Sequence, residues 1–206
     1  MRKYVYPLLA MLVVAAPAHA AKRSKVIEPL KPELIGALVV GETRVTINDA
    51  AKANVEKLDA KAAQKREAAK LAPVDNSTLN TRPAETEYET LPLVRMLPLK
   101  VEDVAHQRGL AGTHRVNLVI SIDTLKTADA AAGILLGSAD ELAGMVDVID
   151  AADGSRLGEF YVDVLNYQGG WLAMAIRGSG VREKMATTFA NQIADQLNGG
   201  KKKAAS

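Results

Sequence analysis

Five acids, Asp147, Asp150, Asp153, Glu159 and Asp163, crowd one short stretch and form the densest group of chemically capable side chains in the sequence. Two carboxylates at a fixed separation, one of them desolvated, can serve as general acid and base. Carboxylate and carbonyl oxygens can also enclose calcium, but the stretch lacks the spacing of a calcium loop. Strand alternation sets Asp147 on the face opposite Val146 and Val148. It sets Glu159 and Asp163 opposite Phe160 and Val162. The acids therefore read first as the solvated side of a sheet. His106 and His114 are eight residues apart in a chain without cysteine, whereas zinc sites want three or four closely paired ligands. Ser121, Ser138, Ser155 and Ser179 sit in no Gly-x-Ser-x-Gly elbow. Gly169-Gly170 and Gly178-Ser179-Gly180 lack the lysine and spacing of a phosphate loop. The sequence thus assigns no catalytic, metal or cofactor-binding residue. The expectation is a protein that is not an enzyme and carries no cofactor.

Two glycine-rich loops carry apolar residues. Ala128–Asp140 holds Ile134, Leu135 and Leu136, and Asn166–Ser179 holds Trp171 and Leu172. Such residues either fold back on a core, with Trp171–Ile176 as a further strand, or form an exposed contact surface. Tryptophan is enriched at binding hot spots, so these five residues are the candidate partner-binding set.

The elements that must position these groups lie in the C-terminal half. Val116, Leu118, Ile120 and Ile122 alternate with more polar residues and predict a strand. Leu142–Asp150 and Gly158–Leu165 predict two more, joined as a hairpin by Asp150–Ser155. If these strands form an antiparallel meander, both apolar loops fall at one end of it. Val181–Asn198 is an amphipathic helix, with Val181, Met185, Phe189, Ile193 and Leu197 every four residues. Arg182, Glu183, Lys184 and Asp195 fall on its remaining sides, and Gly199-Gly200 ends it. The expected fold is α+β: a two-layer sandwich of an antiparallel sheet with this helix packed on it.

Upstream, residues 21–33 read as an extended leader and Leu38–Ile47 as a strand with Val39, Thr43, Val45 and Ile47 on one face. An Ala/Lys/Glu-rich helix follows, capped by Asn48 or Asp49 and running to about Lys70. Its stripe, Ala51, Val55, Leu58 and Ala62, is thin and predicts loose docking. Residues 73–92 have linker composition, Leu93–Leu99 is a short apolar stretch, and Val101–Arg108 is one or two helical turns. The organisation read from this is 1–20 signal peptide, 21–92 N-terminal segment with linker, 93–198 α+β domain and 199–206 basic tail.

Arg2 and Lys3, an apolar run from Pro7 to Pro17 and Ala18-His19-Ala20 before Ala21 have the layout of a secretory signal peptide. Its apolar run is short of the ~20 residues that span a bilayer, so no membrane anchor is expected after cleavage. Removing residues 1–20 takes out Arg2 and Lys3 and leaves basic and acidic residues equal at 24. A neutral chain offers no electrostatic case for nucleic acid. Lys201-Lys202-Lys203 is the one basic cluster and reads as a solvated tail. Without cysteine the exported chain folds on its apolar core alone.

Gly137 to Phe160, followed by a glycine-rich loop and a C-terminal amphipathic helix, resembles a pattern in exported bacterial envelope families of unknown function. Many of those proteins are lipoproteins. The resemblance spans about residues 114–198 and rests on a strand ending Val-Ile-Asp-Ala-Ala-Asp-Gly and its return strand. It implies an envelope location and no particular activity. The chain lacks the acylated cysteine of the lipoprotein members. The expectation is a non-catalytic periplasmic interaction protein whose partner is an envelope protein or lipid, secretion being the other destination. The alternative is a periplasmic small-molecule or lipid-binding protein with a pocket between sheet and helix, followed by a hydrolase using the hairpin carboxylates.

Overall fold

The computed structural model describes residues 24–74, 82–127, 139–167 and 180–200. In chain order the elements are β1 (Lys25–Glu28), β2 (Leu38–Ile47), α1 (Asp49–Ala68), α2 (Leu93–Gln107), β3 (His114–Lys126), β4 (Ala139–Asp150), β5 (Arg156–Tyr167) and α3 (Val181–Leu197). Short 3-10 turns occupy Pro32–Leu34 and Glu85–Thr90.

The five strands form one sheet in the order β1-β5-β4-β3-β2. Its centre is the antiparallel meander that the alternation predicts, with Ile120 opposite Val146 and Val146 opposite Phe160. The sheet as a whole is mixed, because β2 runs parallel to β3 from Leu38↔His114 to Ile47↔Ile122. Parallel neighbours need a long crossover, and residues 48–113 supply it with α1 and α2. The N-terminal segment is therefore not set apart from the C-terminal one: β1 and β2 are the two edges of a single sheet.

One face of the sheet carries the core. Val116, Leu118, Ile120 and Ile122 of β3, Leu142, Val146 and Val148 of β4, and Phe160, Val162 and Val164 of β5 are all buried. The helices cover this face, and Met185, Phe189, Ile193 and Leu197 of α3 are buried against it as their spacing requires. In β2 a bulge between Val40 and Thr43 resets the alternation. Leu38 and Val40 join the core before it, and Val45 and Ile47 after it, so Val39 leaves the inward set the strict alternation gave it.

Two helices differ from their sequence reading. α2 is one helix through Pro98, not two pieces. A proline inside a helix costs about 3 kcal/mol. The buried stripe of Leu93, Met96, Leu97, Val101 and Val104 outweighs it. α1 is docked closely rather than loosely, with Ala51, Val55 and Ala62 buried.

Gly144 of β4 lies opposite Ile122, where the β3 register shifts. A methyl group there would come within 2.4 Å of the Ser121 carbonyl oxygen. That neighbour is backbone and cannot swing aside, so Gly144→Ala is expected to cost about 1–3 kcal/mol through a forced strand shift. A urea midpoint equal to that of the parent protein would show that the strands give way freely.

Candidate functional site

The hairpin acids do not converge on a catalytic pair. Asp147 and Glu159 face each other across β4 and β5, but Arg156 lies between them. It is 3.3 Å from Asp147, 3.4 Å from Glu159 and 3.2 Å from Glu28. The hydrogen bond to Asp147 and the charge of Glu159 hold that guanidinium above its usual range. Two carboxylates sharing one cation make a charge-compensated surface cluster. Asp150 accepts from the Ala152 amide at 2.8 Å and lies 3.0 Å from His114 Nε2. Asp153 accepts from the Ser155 amide at 2.8 Å, and its bonds with Ser155 keep its carboxyl below the usual range. These last two acids serve the turn. Asp163 shares the helix-free face of the sheet with Tyr161, whose hydroxyl is pushed up by burial and then by Asp123, Asp163 and Glu141.

The two histidines have different settings. His114 opens β3 beside Asp150, and His106 is exposed in the last turn of α2. Among the described residues no group of three or more His, Asp or Glu side chains could hold a metal ion. Ser121 pairs with the Thr46 hydroxyl at 3.1 Å, and Ser155 belongs to the hairpin turn. Ile134, Leu135, Leu136, Trp171 and Leu172 lie outside the described residues, as do Ser138 and Ser179. The strands that flank those loops do meet at one end of the meander, where Lys126 is opposite Glu141 and Ala139 opposite Tyr167.

The structure instead brings together a polar seam that the sequence reading missed. Arg182 and Asp195 were placed on the solvated sides of the last helix, yet both are buried. Arg182 donates to the Asp59 carboxylate of α1, to the Glu89 carbonyl at 3.2 Å and to the Leu91 carbonyl. Asp59 also accepts from the Leu93 amide at 2.9 Å, so one ion pair ties together α1, α2 and α3. Asp195 takes Arg108 of the residues after α2 at 2.7 Å. Nearby, the buried Lys100 lies 2.6 Å from Glu183 and 4.6 Å above the Tyr88 ring. The signal was present in the helical spacing. Lys100 falls in the α2 stripe between Leu97 and Val104, and Arg182 falls one turn before Met185 and Ala186.

Burial pushes the Asp59 carboxyl above its ordinary value, against the opposing pull of the Leu93 amide and Arg182. Burial likewise lowers the Arg182 guanidinium. A carboxyl with a raised folded-state pKa binds its proton in the native state first. As pH falls through that raised value toward 3.8, Asp59 adds stability, opposing the ordinary acid loss. Asp59→Asn removes this term, so its unfolding free energy should fall more steeply with acid in that window. Parallel curves for the two proteins, measured by urea melts from pH 7 to pH 4, would contradict this.

Two clefts open beside these elements. The larger, of about 380 Å³, lies at the entry to α2 and is lined by Arg66, Leu71, Val74, Arg82, Leu91 and Arg95 among others. The smaller, of about 210 Å³, lies at the β1 edge, lined by Val26, Leu30, Ile35, Phe160 and the glycines 199 and 200. Among the described residues, two of the four exposed large apolar side chains, Val26 and Ile35, line this second cleft, and a third, Ile27, follows Val26 in β1. A methyl group on Gly199 would come within 2.9 Å of the Ile35 side chain. No helix among the described residues is long and apolar enough to cross a membrane.

No family model and no curated protein matches the chain. Solved structures do resemble it. A PelC variant from Paraburkholderia phytofirmans, solved as a dodecamer, is 9% identical with a TM-score of 0.45, covering 85% of this chain and 97% of that one. A DUF330 protein from Xanthomonas campestris is 14% identical with a TM-score of 0.44, covering 85% and 94%. The lipoprotein GNA1162 from Neisseria meningitidis is 14% identical with a TM-score of 0.27, covering 77% and 97%. Likenesses at this level carry no function across.

Proposed function

We propose that this chain is an exported, non-catalytic protein of the bacterial cell envelope, residing in the periplasm, that acts by contacting a partner through the β1 edge. The observation that carries the reading is the concentration of exposed apolar surface there. Val26 and Ile35, 46% and 38% exposed, line a groove with Leu30 and Phe160, and Ile27, next to Val26 in β1, is 46% exposed. The core side of the sheet, by contrast, is filled by side chains with almost no exposure. A filled core with a separate apolar patch is what an interaction surface needs. β1 is also a short edge strand, with no partner strand on its outer side among the described residues. The signal-peptide layout of residues 1–20 supports export, with Ala18 and Ala20 as the small residues expected before a cut at Ala21.

The test is made in a Gram-negative host. Intact-mass measurement of the protein from the periplasmic fraction should give Ala21 as the first residue. A photo-crosslinker at Ile27 should then yield one discrete adduct. Val26→Ser combined with Ile35→Ser should abolish that adduct while leaving the thermal midpoint near that of the parent protein. Retention of residues 1–20 would overturn the export reading. An adduct unchanged by the double substitution would overturn the β1 edge as the contact surface.

A further inference from the structure

The cleft at the entry to α2 holds one positive charge that the fold does not use. Of its three arginines, Arg66 reaches Glu87 at 3.2 Å and Thr90 at 3.0 Å. Arg82 reaches Glu102 at 2.8 Å and also pairs with Asp103. Arg95, half-buried, has no side-chain ion pair or hydrogen bond among the described residues. Its place in the helix makes this more telling. Arg95 is in the first turn of α2, which contains no acid, and the Pro92 that precedes the helix offers no side-chain cap. The helix dipole makes that end positive and favours an anion there. A cation in the same turn, without a counter-charge, is unfavourable until an anion arrives.

The remaining wall is apolar, with Leu71, Val74, Pro83, Leu91 and Leu99. A volume of about 380 Å³ lies within the ~300–1,000 Å³ of small-molecule sites. Arg66 and Arg82 are already engaged by Glu87, Glu102 and Asp103, so Arg95 is the guanidinium left to meet an anionic ligand. A planar guanidinium matches a carboxylate bidentately. The hydrocarbon lining calls for a ligand with an apolar body.

We propose that this cleft binds a small amphipathic monocarboxylate, with the carboxylate on Arg95 and the apolar body against Leu71, Leu91 and Leu99. This site is separate from the β1 edge and stands whether or not that edge meets a partner.

Octanoate, octanol and inorganic phosphate are the probes, titrated into the purified protein and followed by calorimetry and by leucine and valine methyl NMR. Octanoate should saturate and shift the methyl signals of Leu71, Leu91 and Leu99. Octanol, which keeps the apolar body and loses the charge, should bind about tenfold more weakly or worse. Phosphate, which keeps charge and loses the body, should not saturate. Arg95→Gln should weaken octanoate by about tenfold or more at an unchanged thermal midpoint, and Arg95→Lys should fall between. The proposal fails if octanol binds as well as octanoate, if Arg95→Gln binds as the parent does, if the shifts fall on other methyl groups, or if octanoate never saturates. Should Arg95→Gln not fold, the comparison of octanoate with octanol on the parent protein decides.

Discussion

Arg182→Ala is expected to lower the unfolding free energy by about 3–5 kcal/mol, the range for removing one partner of a buried ion pair. The arginine side chain is 10% exposed and the Asp59 side chain 22%, so solvent screens the pair only slightly. Its removal leaves the half-buried Asp59 carboxylate with the Leu93 amide alone, and takes a donor from the carbonyls of Glu89 and Leu91. Unpaired buried polar groups keep the whole of their desolvation penalty. The control is Arg182→Met combined with Asp59→Leu, which removes both charges. It should recover much of the loss, because well-packed apolar replacements of a buried pair are often neutral or better. A urea melt showing less than about 1 kcal/mol for Arg182→Ala, the scale of exposed pairs, would mean the pair behaves as a surface pair. α1, α2 and α3 would then be held by apolar packing alone.

Phe189→Ala should cost a similar amount, about 3–5 kcal/mol, for a different reason. Phe189 is fully buried, among the largest side chains of the core, and sits midway along α3. Its neighbours at one-turn spacing, Met185, Ala186, Gln192 and Ile193, are themselves buried. Ala186 among them, and the adjacent buried Ala190, cannot reach into the space a missing ring leaves, so the cavity collapses poorly. Against a total of about 5–15 kcal/mol for a domain, either substitution takes a large share. An unchanged denaturant midpoint for Phe189→Ala would show that α3 does not pack on the sheet. The two substitutions lie on one helix, so their effects need not add.

The meander and α3 were readable because their information is local. Val116, Leu118, Ile120 and Ile122 alternate within a single strand, and every one of them is buried. The Asp150–Ser155 turn likewise announces itself in consecutive residues, closing with the Asp150 amide on the Ser155 carbonyl at 2.8 Å. β2 was readable as a strand but its parallel partner was not, since nothing in Leu38–Ile47 encodes which strand lies beside it. Leu93–Leu99 and Val101–Arg108 read as separate pieces, whereas tertiary burial carries one helix through Pro98. The seam was missed for the reason β2's partner was. Arg182 and Asp59 are 123 residues apart, and a charged residue read alone on a helix looks solvated. The charge of Arg95 becomes informative only when the acids around it have been matched to other arginines.

The sheet order has a consequence for how the chain comes into being. The two strands synthesised first, β1 and β2, are its outer edges, and the three synthesised last are its interior. Neither early strand meets its neighbour until much later sequence exists: β2 waits for β3, and β1 waits for β5. Ser24 at the head of β1 even bonds to Gln192, 168 residues away. Pairings this distant in sequence close slowly, after the loop entropy of the intervening chain is met. The growing chain therefore stays without a finished sheet until almost all of it has been made, and the first strand to emerge is among the last to be seated.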